Sequence, residues 1–172
     1  MNLIDTIRVV EDYPKAGISF KDITTLLHDP KAFRAGIDAL VELAVNYDFD
    51  YILAAEARGF VLGTPIAYVL NKGFIPVRKP GKLPAEVYHY EYDLEYGTDA
   101  LEIHRDSLKE GDRVLIVDDL LATGGTSSAM IKMAEKLGAT VVACLYLIEL
   151  GFLPGRDVLD GYEVKSVVYY ED

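Results

Sequence analysis

The chain has 172 residues, 28 acidic and 17 basic, for a formal net charge of −11; 51% of its residues are hydrophobic and 26% charged. That is too apolar for disorder and long enough for one domain with a substantial core. The acidic balance opposes nucleic acid as a partner, because that affinity comes from Lys and Arg neutralising phosphates, and no run of 18 apolar residues offers a membrane span.

The first residues, Met1 to Arg8, carry no basic flank, long apolar stretch or small-residue cleavage site, so no secretory leader is expected. A single cysteine, Cys144, cannot make an internal disulfide, and a reducing, cytoplasmic home is expected. Residues 8–27 read as strand-poor and turn-rich, centred on Asp12-Tyr13-Pro14-Lys15-Ala16-Gly17. Asp29-Pro30 then pairs an N-cap with a proline at the first helical position. The helical spacing of Phe33, Ile37, Leu40, Val41 and Ala44 predicts a helix over 31–47. A short buried strand is expected over Tyr51–Ala55, a helix over Phe60–Val69, and a second strand over Phe74–Arg78.

Residues 79–104 interrupt the alternation. Lys79-Pro80-Gly81-Lys82-Leu83-Pro84 leads into Tyr88-His89-Tyr90-Glu91-Tyr92, whose alternation predicts a β-ribbon with one apolar face, and Leu94-Glu95-Tyr96-Gly97 closes the stretch. Segments this long between core elements are usually lids or excursions from a sheet. Beyond it, Arg113–Val117 is the strongest strand and Met130, Met133, Ala134 and Leu137 mark a helix. Gly138 stands where a left-handed terminator belongs, and Val141–Leu147 and Val164–Tyr169 are further strands. Strands separated by helices predict an α/β fold: a central parallel twisted sheet with helices on both faces, in a single domain spanning 1–172.

The most informative stretch is Val114-Leu115-Ile116-Val117-Asp118-Asp119-Leu120-Leu121-Ala122-Thr123-Gly124-Gly125-Thr126. An apolar strand runs into two carboxylates, then a Gly-Gly turn flanked by threonines, then a helix. Backbone N–H groups and hydroxyls over Thr123–Thr126 make a phosphate cradle at a helix N-terminus, and the glycines let the backbone approach the anion. Asp118 and Asp119 would repel a phosphate. They suit ligand hydroxyls or a hydrated divalent cation. Phosphate at one end and vicinal hydroxyls nearby describe a ribose 5-phosphate. Neither a Walker loop nor a Gly-x-Gly-x-x-Gly after a strand is present.

This stretch resembles the 5-phosphoribosyl 1-pyrophosphate (PRPP) signature of type I phosphoribosyltransferases. Four more segments carry the likeness over nearly the whole chain: Tyr13–Asp22, Glu56–Phe60, Val77–Pro84 and Tyr92–Gly97, the last two pointing to the adenine-specific members. The resemblance implies the type I fold, with a small N-terminal hood over about 8–27 and a flexible β-lid over about 80–100. It implies the conversion of adenine and PRPP to AMP and pyrophosphate in purine salvage, with Mg²⁺ held through PRPP and water rather than by a protein ligand, in a cytoplasmic homodimer. By family pattern, Asp118 and Asp119 hold the ribose hydroxyls and Ala122, Thr123, Gly124, Gly125 and Thr126 the 5-phosphate. Glu56, Ala57, Arg58 and Gly59 form the pyrophosphate loop, where a non-proline cis peptide is frequent, and Arg78, Lys79 and Lys82 add positive charge. Phe20 stacks on the base, backbone groups of Ser19 and Lys21 read its edge, and Leu153 covers its other side. Ala16 departs from the proline frequent at its position. Glu95 is the glutamate that accepts or orients the N9 proton, which with Asp118, Asp119 and Arg58 completes the catalytic set. Alternatives are a phosphoribosyltransferase for hypoxanthine, guanine or xanthine, and a non-catalytic PRPP-sensing regulator.

The other reactive residues are quieter. His28, His89 and His104 show no metal spacing, and Cys144 sits in an apolar strand as a small buried hydrophobe.

Overall fold

The computed structural model describes residues 1–93 and 97–172, within which two compact units comprise residues 1–39 and 40–172. In the N-terminal unit a short 3-10 turn, Leu3–Thr6, precedes two antiparallel strands, β1 (Arg8–Glu11) and β2 (Ser19–Asp22), paired from Arg8↔Asp22 to Glu11↔Ser19. The strand-poor reading of 8–27 is thereby corrected. Each strand is only four residues long, too short for alternation to register, whereas the link between them has strong turn chemistry. In that link Asp12 and Gly17 have φ of 55° and 85°, and Asp12 Oδ1 accepts the Gly17 N–H at 2.8 Å. Helix α1 (Thr24–His28) follows. The Asp22 carboxylate accepts the Thr24 N–H at 2.9 Å and pairs with the Arg8 guanidinium at 2.6 Å, and these contacts, the Thr24 amide foremost, bring its pKa down to about 2.

Helix α2 (Pro30–Ala44) starts as expected, with Asp29 Oδ1 accepting the Lys31 N–H at 2.9 Å. It stops three residues short of the expected end. The Asn46 side-chain amide donates to the Glu42 and Leu43 carbonyls at 3.1 and 3.3 Å, taking over acceptors that a further turn would use.

The C-terminal unit contains β3 (Tyr51–Ala55), α3 (Arg58–Leu70), β4 (Gly73–Val77), β5 (Val87–Asp93), β6 (Thr98–His104), β7 (Arg113–Leu121), α4 (Gly125–Lys136), β8 (Thr140–Leu150), α5 (Gly155–Val158) and β9 (Val164–Tyr170). Five strands form one parallel sheet in the order β4-β3-β7-β8-β9. The order reverses direction between β3 and β7, and ligands of open α/β sheets bind beyond the strand ends at such a switch point. On one face Leu53, Ile116, Cys144 and Tyr146 pack with Met130, Met133 and Ala134 of α4 and with Leu101 and Ile103 of β6. On the other, Gly63 of α3 lies so close to Ile52 and Ala54 that a Cβ there would meet their side chains at 3.3 and 3.4 Å. The sheet is thus flanked by helices on both faces.

β7 runs four residues beyond its expected end, because its ladder with β8 continues through Leu120↔Ile148 and Leu121↔Glu149. The change from apolar to acidic side chains at Asp118 marks a change of environment, to which backbone pairing is indifferent. β5 and β6 form the expected antiparallel ribbon. Tyr88, Tyr90 and Tyr92 share the face that packs on the core, while His89 and Glu91 face outward.

Candidate active site

A cleft of about 350 Å³ opens at the switch point, lined by residues 55–58 from the end of β3 and 118–127 from the end of β7. Ten contiguous residues from the last four of β7 onward, and four from the last of β3 onward, thus bring together most of the predicted pyrophosphate and ribose-phosphate groups. The Glu56–Ala57 peptide, in the loop where the resemblance implies a cis bond, is cis.

The cleft's two carboxylates occupy different environments. Asp119 is 7% exposed and pairs with Arg58 Nε at 2.5 Å. Asp118 accepts the Asp119 N–H at 2.9 Å. Burial, and then the neighbouring Asp119 carboxylate, push the Asp118 carboxyl well above the usual carboxylate range. Gly59 leaves room for it: a Cβ at Gly59 would stand 3.2 Å from Asp118 Oδ1.

The residues expected to cradle an anion fall at the start of α4. Gly124 is its N-cap at φ 83° and ψ 0°, and no side chain caps this end, so the first-turn amides remain turned toward the cleft. Ser127, in that first turn, is 3% exposed and accepts the hydroxyl of fully buried Tyr146 at 2.5 Å. The Tyr92 hydroxyl of β5 shares a hydrogen bond with Thr126 and donates to Asp99 Oδ2 at 3.3 Å. The sequence pattern did not single out Ala55, Leu120, Leu121 and Ser127 as lining residues. For Ser127 the helix-start position was the available signal, whereas its tyrosine partner lies 19 residues away and is supplied by the tertiary fold.

The structure spreads the basic cluster out. Arg78 Nε pairs with Glu56 Oε1 at 3.1 Å, and the same oxygen accepts the Lys79 N–H at 2.8 Å. The Lys79 amide, with help from the Arg78 charge, holds Glu56 below its ordinary value. Lys79 Nζ is bound to the Asp99 carboxylate, and Lys82 is exposed in the segment after β4. None of the three lines the cleft, so only Arg58 of the predicted cations stands within it.

A model of the phosphoribosyl transferase domain matches residues 22–168, taking in the cleft-forming loops and all five sheet strands. The chain belongs to the phosphoribosyltransferase family. It is 58% identical over 170 residues to the adenine phosphoribosyltransferase of Alkaliphilus metalliredigens, covering 99% of this chain and 100% of that one. Among solved structures it matches adenine phosphoribosyltransferase from Thermoanaerobacter pseudethanolicus with a TM-score of 0.94 at 56% identity, covering 96% of each chain. A second match is the Saccharomyces cerevisiae enzyme complexed with D-2,5-dideoxy-2,5-imino-altritol 1,6-bisphosphate and adenine, with a TM-score of 0.89 at 37% identity and 96% of each chain covered.

The remaining expected residues of this phosphoribosyltransferase fall in three places. Ser19, Phe20 and Lys21 lie on β2 in the N-terminal unit, where Phe20 meets Tyr13 edge-on at 5.2 Å and Lys21 Nζ donates to Ser19 Oγ at 2.9 Å. Leu153 lies in the C-terminal unit, half-buried in the short loop between β8 and α5. Glu95 lies outside the described residues. Among the described residues no group of three or more His, Cys, Asp or Glu side chains is arranged to hold a metal ion.

Proposed function

We propose that the protein is a single-domain adenine phosphoribosyltransferase that converts adenine and PRPP to AMP and pyrophosphate. The observation that carries the reading is the cleft at the β3/β7 switch point, lined by two carboxylates near the end of β7 and by the glycine-started first turn of α4, which no side chain caps. The choice of adenine rests on the full-length relatives, the first of them 58% identical.

The first-turn amides of α4 and the residues Ala122–Thr126 hold the 5-phosphate, with the helix dipole adding to the attraction. Asp118 and Asp119 accept hydrogen bonds from the ribose hydroxyls. As the bond from C1 to pyrophosphate lengthens, positive charge grows on the ribose, and carboxylates fixed beside it favour that state over the ground state. Arg58 and the loop 56–59 receive the leaving pyrophosphate. For Arg58 to do so, its bond to Asp119 has to loosen as pyrophosphate charge becomes the better partner. Lys79 and Lys82 add positive charge once their segment is engaged. Two hard carboxylates beside an anion cradle fit a hydrated Mg²⁺, which keeps most of its waters and needs few protein oxygens. When bound, Mg²⁺ supplies charge neutralisation at the pyrophosphate. Phe20, Ser19, Lys21 and Leu153 recognise the base, and Glu95 takes or orients its N9 proton.

A homodimer is part of this reading, and α3 offers an apolar face for a second copy in Val61, Val69 and Tyr68, the last 88% exposed. A cytoplasmic location fits the free, buried Cys144.

The test is a panel of purines, each supplied to the purified protein with PRPP and Mg²⁺. AMP formed from adenine is expected; nucleotide from guanine or hypoxanthine but not adenine would reassign the base, and no nucleotide from any purine would favour a PRPP sensor. For Glu95, the Glu95→Gln variant should turn over about 10²–10⁴-fold more slowly in a single-turnover assay with PRPP binding unchanged. Wild-type turnover would remove it from the mechanism.

A further inference from the structure

Glu149, near the end of β8, is 3% exposed, yet no reacting group is assigned to it. Its carboxylate accepts three hydrogen bonds: Arg156 Nε to Oε1 at 2.8 Å, Arg156 Nη2 to Oε2 at 2.8 Å, and Ser166 Oγ to Oε2 at 2.7 Å. Arg156 Nη1 also donates to the Val164 carbonyl at 3.1 Å. The two-pronged pair therefore ties α5 to both β8 and β9 and closes the loop 150–155. Helix α5 is a single turn of four residues. A helix that short does not hold its own position and depends on outside contacts. Buried Leu159 anchors its end, but an apolar contact leaves orientation loose, whereas a planar guanidinium forked onto a carboxylate sets it.

The other side of α5 lies against the phosphate loop, backbone to backbone. A Cβ on Gly155 would stand 2.5 Å from the Ala122 carbonyl oxygen, and a Cβ on Gly124 would stand 3.1 Å from the Gly155 carbonyl oxygen and 3.2 Å from Val158 Cβ. The Leu121 and Val158 side chains fill the rest of this seam, and the backbone oxygens of Ala122 and Gly155 press directly on the facing glycines, so a displacement of α5 is transmitted to Ala122–Gly124. The pair is buried on one side only, with the Glu149 side chain 4% and the Arg156 side chain 53% exposed, so solvent screens its contribution to stability. Its directionality is what an apolar pair lacks.

We propose that Glu149, Arg156 and Ser166 form a positioning clamp that sets the phosphate loop through α5, and so governs affinity for the 5-phosphate end of a phosphoribosyl substrate. The clamp touches no substrate. The proposal rests on the function proposed above, and wild-type enzyme tests that reading separately: if the wild type makes no nucleotide from PRPP and any purine, the function fails whatever the variants do.

With active wild type, the experiment compares Glu149→Gln, Arg156→Lys and Ser166→Ala, assayed well below their melting temperatures. Glu149→Gln keeps the shape and loses the charge. Its KM for PRPP should rise about tenfold, with kcat within about twofold of wild type. Inhibition by ribose 5-phosphate, the probe of the cradle alone, should weaken in parallel. Arg156→Lys keeps the charge and loses the fork, so its effect should be intermediate, and Ser166→Ala, which removes one of three bonds, should be the mildest. A lower melting temperature with unchanged KM for PRPP and unchanged inhibition by ribose 5-phosphate would overturn the proposal in favour of plain stability. A rise in the KM for adenine alone would also overturn it, by confining the clamp's reach to the loop that carries Leu153.

Discussion

Gly124 caps α4 and Gly125 is its first residue, and alanine should affect the two in opposite ways. Gly124 has φ 83°, where a residue with a Cβ loses about 1–2 kcal/mol. Its Cβ would also stand 3.1 Å from a backbone oxygen of Gly155 and 3.2 Å from Val158, neither of which moves without α5, adding about 1–2 kcal/mol of overpacking. The reduced freedom of the unfolded chain returns about 0.5 kcal/mol, leaving Gly124→Ala destabilised by about 1.5–3.5 kcal/mol. For a chain of this size that lowers the melting temperature by about 3–14 °C. Gly125 has ordinary helical geometry, and the nearest atoms to its Cβ would be Thr123 Oγ1 and Tyr92 Cε2, both at 3.9 Å. Gly125→Ala should therefore melt at or slightly above the wild-type temperature, while the added methyl at the cradle raises the KM for PRPP. Thermal denaturation followed by circular dichroism reads the first effect and steady-state kinetics the second. Equal melting temperatures for the two variants would refute the assignment of a left-handed cap pressed against α5.

Four further outcomes follow from the charges. Asp118→Asn and Asp119→Asn should each slow turnover by at least about tenfold, measured as kcat with saturating PRPP. Because burial and Asp119 raise the Asp118 carboxyl, its cost to folding is absent below the usual carboxylate range and grows as pH rises toward the raised value. Asp118→Asn should therefore be more stable than wild type at neutral pH in urea denaturation, and a less stable variant would contradict that origin of the shift. His89 Nδ1 donates to Glu102 Oε2, 2.8 Å away, and this partner chiefly raises the histidine's pKa above the usual value of about 6.5. Its contribution is thus fully present below about pH 6.5 and lost as pH rises through the raised value. An NMR titration should show Glu102→Gln bringing His89 back down. Asp22, held at about 2, contributes stability above the usual carboxylate range that is lost as pH falls toward 2. Arg8→Ala should raise that value, and an unchanged acid limb would exclude the Arg8 contact as one of its causes.

The sequence by itself determined the parallel α/β class and the placement of the five strands of the parallel sheet, because a strand buried on both faces must be apolar throughout, as Val114–Val117 are. It also placed the glycine turn at the start of α4, since consecutive glycines have local conformational consequences that no distant contact needs to supply. The ribbon tyrosines were legible for the same reason, through an alternation with period two. Other features depend on pairs far apart in the chain. The strand order that reverses between β3 and β7 and opens the cleft there is a property of the assembled sheet. The extension of β7 past Asp118 came from its ladder with β8, and the strands at Arg8–Glu11 and Ser19–Asp22 from pairing with each other. The clustering of Arg78, Lys79 and Lys82 in the sequence promised a single basic patch, but the fold gave Arg78 to Glu56 and Lys79 to Asp99. Glu149 and Arg156, seven residues apart across a loop, carried no periodic signal. Local periodicity records which face of an element is buried, whereas the partner that a polar side chain finds is chosen by the strand or helix the tertiary structure brings beside it.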